Sequence, residues 1–167
     1  IRAGNTPEVR AAIAARIAAD GFAGPGGGDD ALTMMRAEIR AFAADAIAPY
    51  AQDWHRSDML IPDATIARMA ALGVFGLTIP ERYGGSGFGK RAMCTVSEEL
   101  SRVFLGAGSL GTRAEIAGEL IRNSGTDDQK DRFLPGIASG AILPTAVFTE
   151  PEAGSDLGAI RTRAVRD

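Results

Sequence analysis

Apolar residues recur every three or four positions in several segments of this chain, a spacing that places them on one face of an α-helix. The pattern predicts five amphipathic helices, the first of which ends near Pro49. Four of the five are joined by short loops, which is typical of a helical bundle. The five apolar faces comprise Leu32, Met35, Ile39, Phe42 and Ala46; Ile66, Met69 and Leu72; Met93, Val96, Leu100 and Val103; Ile116, Leu120 and Ile121; and Phe133 and Ile137.

Local signals predict where some helices begin and where the chain is a linker. Thr126 and Gln129 have the spacing of a capping box, in which the two side chains satisfy free backbone amides at a helix start. Pro7 follows a threonine and precedes a glutamate, so residues 6–20 are expected to form a further short helix. Residues 21–30 contain five glycines and a proline and are interpreted as a linker.

The pattern changes near residue 143. Residues 143–149 and 160–165 are β-prone and flank a turn-rich stretch, which predicts the first strands of a second domain. Two strands alone are marginal in water, so we expect the chain to be a piece of a longer protein. The predicted organisation is mainly α: a helical tail and linker at 1–30, a helical domain at 31–142 and the start of a β domain at 143–167.

Composition excludes several function classes. A net charge of −3 provides no basic surface for nucleic acid or an anionic membrane. One cysteine, Cys94, and one histidine, His55, are too few for a disulfide or a metal cluster built from these residues. No apolar run reaches the roughly 18 residues of a membrane span, and no leader opens the chain, so a cytoplasmic protein without a metal site is expected.

A glycine-rich stretch, Gly84 to Lys90, has the spacing of the front of a phosphate-binding loop. It follows the β-prone residues 75–79 and precedes a helix. However, Arg91 stands where that motif needs a serine or threonine to hold magnesium. A flexible connection between elements is the alternative interpretation, and it is the one we favour.

Two candidates for acid–base or nucleophilic chemistry are weak. His55 lies beside Asp53, so an imidazole base oriented by a carboxylate is conceivable, but a lone histidine at a helix end is more often structural. Ser155 lacks the second flanking glycine of a nucleophile elbow, and only His55 is available to complete a triad with it. A hydrolase is therefore not expected.

Residues 148–158 are the third candidate. They run from a predicted strand end into a turn with closely spaced hydroxyls, glycines and carboxylates. Gly154 permits close approach of a ligand to the backbone, while Thr149 and Ser155 offer donors suited to an electron-poor ring or a carbonyl oxygen. The structural alternative is a tight turn with a capping aspartate.

These residues resemble the flavin-proximal signature of the acyl-CoA dehydrogenase family, which reads Thr-Glu-Pro, two spacers, Gly-Ser-Asp and a small residue soon after. Upstream segments are similar to the same family in its order and at its spacing, and the resemblance covers residues 31–167. It implies a helical bundle followed by the first strands of a β-barrel, and makes the glycine-rich stretch a structural loop. The upstream segments are 72–87, 97–102, 125–130 and 134–140.

The resemblance implies an FAD-dependent α,β-dehydrogenation of an acyl-CoA thioester. Phe148 and Thr149 match positions that contact the isoalloxazine ring, and Gly154 and Ser155 match contacts to flavin and acyl-CoA. Many relatives carry a smaller aliphatic residue at the position of Phe148, so its ring is a candidate for shaping the pocket. The catalytic glutamate of the family comes from a C-terminal region. No catalytic residue is therefore expected in this chain, which by itself would be inactive.

Residues 97–102, 108–117 and 143–151 are most similar to a branch of the family that oxidises a short branched dicarboxylyl thioester. Residues 108–113 match the start of a helix that lines the acyl pocket, which makes Ser109, Thr112 and Arg113 candidate substrate contacts. Arg113 offers a bidentate donor for the distal carboxylate, against the alternative of a surface arginine.

The resemblance also implies partners: an acyl-CoA substrate, an electron-transfer flavoprotein as acceptor, and further copies of the chain in a homodimer or homotetramer. Two alternatives stay open. One is a relative that acts on another short acyl-CoA, and the other is a helical interaction module that has kept the family's bundle without its catalysis.

Overall fold

The computed structural model describes residues 6–20, 29–145 and 147–165. Within them seven α-helices follow one another, and the mainly α class is confirmed. The predicted linker lies outside the described residues at positions 21–28, and the division into domains stays a prediction. The helices are α1 (Pro7–Asp20), α2 (Asp30–Ala46), α3 (Ala48–Arg56), α4 (Asp63–Ala71), α5 (Lys90–Ser101), α6 (Leu105–Ser124) and α7 (Asp127–Ala138).

The core lies between α2, α5, α6 and α7. The apolar stripe of α5 is buried as the spacing predicts, and the capping box at the start of α7 is present in full, with Thr126 and Gln129 each bonding the other's backbone amide. Ile39, Phe42 and Ala46 bury the matching face of α2. None of the described helices is both long enough and apolar enough to cross a bilayer.

One helix boundary agrees with the pattern and another differs. The first predicted helix, α2, ends at Ala46, near Pro49 as predicted, and Pro49 itself lies in the first turn of α3, where a backbone amide would have no partner within the helix. The fourth predicted helix begins earlier than its apolar stripe, at Leu105. Its buried face is made of small residues, and Leu120 is 55% exposed.

The β-prone residues 75–79 form turns rather than a strand. They are nevertheless buried, and Phe75 and Ile79 are among the most enclosed side chains of the core. Apolar side chains in this connection therefore contribute burial to the bundle without a strand partner, which is why their composition resembles that of a strand.

The expected strands at 143–149 and 160–165 do not form among the described residues 143–145 and 147–165. That stretch contains an antiparallel bridge between Glu150 and Ala153 and a 3-10 turn at Leu157–Ala159. An extended segment becomes a strand only when a neighbouring backbone completes its hydrogen bonds, and no described segment does so here.

Candidate functional site

A groove of about 550 Å³ opens where the end of α3 meets the start of α6. Ser109 and Arg113 lie one turn apart on α6 and reach the groove together, while Gln52 and His55 reach it from α3. Ser109 is half-buried and Arg113 is exposed. The complete lining is Ala51, Gln52, His55, Val103, Phe104, Leu105, Gly106, Ser109 and Arg113. Its lining thus combines apolar side chains with the polar groups of Gln52, His55, Ser109 and Arg113.

An aromatic contact holds the two walls of this groove together. Trp54 is buried at the end of α3, and its ring meets that of Phe104 edge-on, with centroids 5.9 Å apart. Tyr50 stacks on the other side of Trp54, also at 5.9 Å. Because Phe104 lines the groove and immediately precedes α6, this contact fixes the separation between α3 and the helix that carries Arg113.

The small residues of α6 let it approach the core closely. A Cβ on Gly108 would lie 3.1 Å from the carbonyl oxygen of Ser97 and overlap the hydroxyl of Ser101, both on α5. A Cβ on Gly111 would lie 3.1 Å from Cγ1 of Val74. The glycines therefore form part of the buried face of α6. Because this face has no large apolar side chains, the hydrophobic pattern did not predict where the helix begins.

The groove includes two of the three predicted substrate contacts on α6. Ser109 and Arg113 line it, whereas Thr112 does not. The hydroxyl of Thr112 donates to the carbonyl oxygens of Gly108 at 2.9 Å and Ser109 at 3.2 Å, so it is used within its own helix. The groove also brings in Gln52 and His55, which sequence spacing could not associate with α6.

The four predicted flavin contacts lie together in the segment after the bundle. Phe148 is 41% exposed, and Thr149, Gly154 and Ser155 are exposed. The hydroxyls of Thr149 and Ser155 make no hydrogen bond within the part of the chain that the structure describes. A Cβ on Gly154 would meet nothing within 4 Å, so the backbone there faces open space.

Sequence reasoning missed a carboxylate that organises this segment. Oε2 of Glu150 accepts a hydrogen bond from the amide of Arg161 at 2.9 Å, and Oε1 accepts one from the amide of Thr162 at 2.8 Å and another from the Thr162 hydroxyl. These bonds lower the pKa of Glu150, the Thr162 hydroxyl contributing most. Contacts that span twelve residues have no local sequence signal.

The glycine-rich stretch is a structural loop and not a phosphate site. The amides at the centre of the loop are already used: that of Ser86 donates to the carbonyl of Gly76 at 2.9 Å, that of Gly87 to the carbonyl of Ile79 at 2.9 Å and that of Phe88 to the carbonyl of Leu77 at 2.8 Å. A phosphate-binding loop needs these donors free.

The lysine of this stretch is also engaged. Nζ of Lys90 pairs with the carboxylates of Glu115 and, at 3.0 Å, Glu119 on α6. These ion pairs hold α5 to α6, and they raise the pKa of Lys90, with the bond to Glu115 the largest cause. Lys90, which in a phosphate-binding loop would bind the phosphate, therefore stabilises the contact between α5 and α6 instead.

The acid–base alternatives find no support in the geometry. His55 is exposed at the groove edge, and no carboxylate within the described residues bonds its imidazole. Ser155 makes no contact with it. The buried Glu99 accepts from Arg40 at 2.8 and 2.9 Å, Arg36 at 2.7 Å and Arg102 at 3.1 Å. Hydrogen bonds from these guanidinium groups, that of Arg40 first, lower the pKa of Glu99 to about 2, so it is a poor base.

Comparison with known proteins identifies the bundle. Residues 29–141 match the model of the acyl-CoA dehydrogenase N-terminal domain. The chain therefore belongs to the acyl-CoA dehydrogenase family. It is 56% identical over 170 residues to (2S)-methylsuccinyl-CoA dehydrogenase of Cereibacter sphaeroides, in an alignment that covers all of this chain and 31% of that protein.

More distant relatives agree. The chain is 34% identical over 134 residues to an acyl-CoA dehydrogenase of Bacillus subtilis, covering 80% of this chain and 35% of that protein. It is similar to the crystal structure of glutaryl-CoA dehydrogenase from Mycobacterium smegmatis, with a TM-score of 0.76, 29% identity and coverage of 84% and 36% of the two chains. The chain spans about a third of the length of the curated relatives it matches.

Proposed function

We propose that this chain is the N-terminal portion of an FAD-dependent acyl-CoA dehydrogenase that converts (2S)-methylsuccinyl-CoA to mesaconyl-CoA. The observation that carries the proposal is the 56% identity to a methylsuccinyl-CoA dehydrogenase over the whole chain. Electrons would pass to an electron-transfer flavoprotein, and the enzyme would be a cytoplasmic homodimer or homotetramer. Another short dicarboxylyl thioester is the second candidate, because a glutaryl-CoA dehydrogenase shares the fold.

Phe148, Thr149, Gly154 and Ser155 are exposed in the segment 148–155 and would meet the edge of an isoalloxazine ring. The segment presents an aromatic side chain, two hydroxyls that make no hydrogen bond among the described residues and a glycine that leaves the backbone accessible. When bound, FAD supplies the acceptor for the β-hydrogen, which leaves the substrate as hydride. Thr149 and Ser155 would donate to acceptor atoms of the ring and the thioester, and Phe148 would cover an apolar face.

The groove between α3 and α6 supports a substrate with a distal carboxylate. Arg113 and Ser109 supply donors at its edge, and Val103, Phe104 and Leu105 supply an apolar wall for a short branched acyl group. None of the nine lining residues is acidic, so no carboxylate in the groove competes for the guanidinium. A bidentate bond from Arg113 would discriminate between carboxylated and uncharged acyl chains.

The base that removes the α-proton would come from outside the described residues. The buried Glu99 is held ionised by three arginines. Glu119 has a pKa of about 2 because Asn123 and Lys90 donate to it, and Glu150 bonds the backbone of its own segment. That base would take the α-proton of the thioester, and FAD held by the 148–155 segment would supply the hydride acceptor for the β-hydrogen, so that a trans double bond would form between the two carbons.

Replacement of Arg113 in the full-length enzyme tests the carboxylate role. We expect Arg113→Ala to reduce kcat/KM for methylsuccinyl-CoA by about 10- to 100-fold, since a hydrogen bond to a charged group contributes about 1.5–3 kcal/mol. Turnover of butyryl-CoA should change little. The matched control is Arg122→Ala, which removes another α6 arginine that pairs with Glu119 at 2.9 Å.

Three outcomes decide between the candidates. Equal loss for both substrates, or no loss, would contradict the role of Arg113. Wild-type preference for glutaryl-CoA over methylsuccinyl-CoA would favour the second candidate. Failure of the wild type to oxidise either dicarboxylyl thioester would contradict the proposed function itself.

A further inference from the structure

We propose that Glu150 is a positioning residue that holds the flavin-contacting turn in its binding shape by fastening it to the backbone of residues 161 and 162. The inference rests on the proposed function, because it concerns the same segment and the same cofactor. It adds two residues to that proposal. Glu150 would act by positioning the turn rather than by touching the ring, and its hydrogen-bond partner Thr162 lies outside the flavin-proximal segment 148–158.

Three hydrogen bonds join the Glu150 side chain to residues 161 and 162. The two carboxylate oxygens of Glu150 accept the amides of Arg161 and Thr162 at 2.9 and 2.8 Å, and the Thr162 hydroxyl is a third donor. A carboxylate that accepts hydrogen bonds from two consecutive amides fixes both the position and the direction of the segment that donates them. The eleven-residue loop between Glu150 and Thr162 is thereby closed by bonds from the Glu150 side chain rather than by a strand ladder.

Local hydrogen bonds also fix the turn inside the closed loop. The backbone of Glu150 also forms a reciprocal pair with Ala153, at 2.9 and 3.2 Å, and Ala153 is the buried residue of this turn. Asp156 accepts from the amide of Gly158 at 3.1 Å and starts the 3-10 turn. Ser155 lies between the Glu150–Ala153 pair and the 3-10 turn that begins after Asp156, and Thr149 immediately precedes Glu150.

Glu150 differs from the nearby Glu152 in the groups that it bonds. Glu152 also pairs across the loop, but its bond is to the guanidinium of Arg161 at 2.9 Å, and the two side chains are 73% and 81% exposed. An ion pair so open to solvent restrains little. Glu150, in contrast, bonds to backbone amides, whose positions define the course of the chain.

The consequence is a population effect. If the turn samples other shapes, the apparent Kd for FAD rises by the factor by which the competent shape is depleted. Loss of the Thr162 hydroxyl removes one of three donors to a charged acceptor and should raise the Kd about tenfold. Loss of the negative charge should raise it further, because an amide at position 150 offers fewer acceptor sites to the same donors.

The experiment uses the full-length protein and measures the Kd for FAD, the visible flavin absorption and hydrogen exchange of residues 149–162 in the apoprotein. Thr162→Val keeps the shape of the side chain and removes its hydroxyl, whereas Thr162→Ser retains the hydroxyl. Glu150→Gln removes the negative charge of the carboxylate. Glu152→Gln is the matched control, since it removes one carboxylate charge from the same turn.

We expect Thr162→Val and Glu150→Gln to bind FAD more weakly, to exchange faster at 149–162 and to shift the flavin absorption, while Thr162→Ser and Glu152→Gln stay within about twofold of wild type. A lowered Tm in Thr162→Val with an unchanged Kd for FAD would mean a merely structural bond and would overturn the inference. Equal effects of Glu150→Gln and Glu152→Gln would also overturn it. If the wild type binds no FAD, the proposed function fails, and the inference fails with it.

Discussion

The buried carboxylate of Glu99 offers the sharpest test of how the bundle is stabilised, because it joins α2 to α5. Helix α5 in turn packs against α6, which carries Arg113. Glu99 is 1% exposed and accepts four hydrogen bonds from three arginines. Glu99→Gln keeps the size of the side chain but removes its charge. The arginines lose their shared acceptor, although Arg40 and Arg102 are more than half exposed and can turn to water.

The expected cost follows from the pKa. Hydrogen bonds led by that from Arg40 lower the pKa of Glu99 from 4.5 to about 2. At about 1.4 kcal/mol per pKa unit, the ionised form stabilises the folded state by about 3 kcal/mol. Because the arginines are partly solvated in the folded state, about 2–3 kcal/mol is the expected loss in Glu99→Gln.

The same shift fixes the pH dependence and its sign. A carboxyl whose pKa is lower in the folded than in the unfolded state stabilises the protein above its unfolded pKa, near 4.5. That contribution is lost as the pH falls from about 4.5 toward 2. The stability difference between wild type and Glu99→Gln should therefore be constant from pH 8 to about pH 5 and decrease only below that.

Hydrogen exchange of α2 and α5 amides in the full-length protein measures the local opening free energy without requiring two-state unfolding of the whole enzyme. The control is Glu98→Gln, which removes the adjacent, 56% exposed carboxylate that bonds Arg36 at 3.0 Å. Its effect should be below about 1 kcal/mol. Equal protection losses in the two variants, or a difference that already disappears near pH 6, would refute this reasoning.

Further predictions concern the loop and the last helix. Gly85→Ala should cost more than about 3 kcal/mol and reduce soluble yield, because its Cβ would overlap the carbonyl of Ile79 and lie 2.6 Å from that of Gly76. Gly89→Ala, with nothing within 4 Å of its Cβ, should cost less than about 1 kcal/mol by thermal shift. Thr126→Ala should cost about 1 kcal/mol, seen as faster amide exchange confined to the first turn of α7; unchanged exchange there would contradict the capping role.

The fold could be predicted from the sequence where burial uses large side chains. The stripes of α2 and α5 were visible because Phe42, Val96 and Leu100 repeat at helical spacing and are buried. The start of α6 was hidden because Gly108 and Gly111 bury backbone rather than apolar side chains, and hydrophobic periodicity does not register a glycine face.

The candidate site was predictable only in part, for a similar reason. Ser109 and Arg113 were predicted because residues 108–113 resemble the start of the family's substrate helix, and the structure places both in one groove. His55 and Thr162 were not assigned to their sites, since the first meets α6 only through the packing of Trp54 and the second meets Glu150 across twelve residues. Contacts between distant parts of the chain depend on the fold and leave no local pattern.

We propose above that the chain is the N-terminal portion of an FAD-dependent methylsuccinyl-CoA dehydrogenase. The most direct measurement is the visible spectrum of the purified full-length protein, recorded without oxygen before and after addition of (2S)-methylsuccinyl-CoA, with butyryl-CoA as the comparison. We expect flavin absorption bands that bleach with methylsuccinyl-CoA and change little with butyryl-CoA. A protein without flavin bands, or bands that bleach equally with both thioesters, would contradict it.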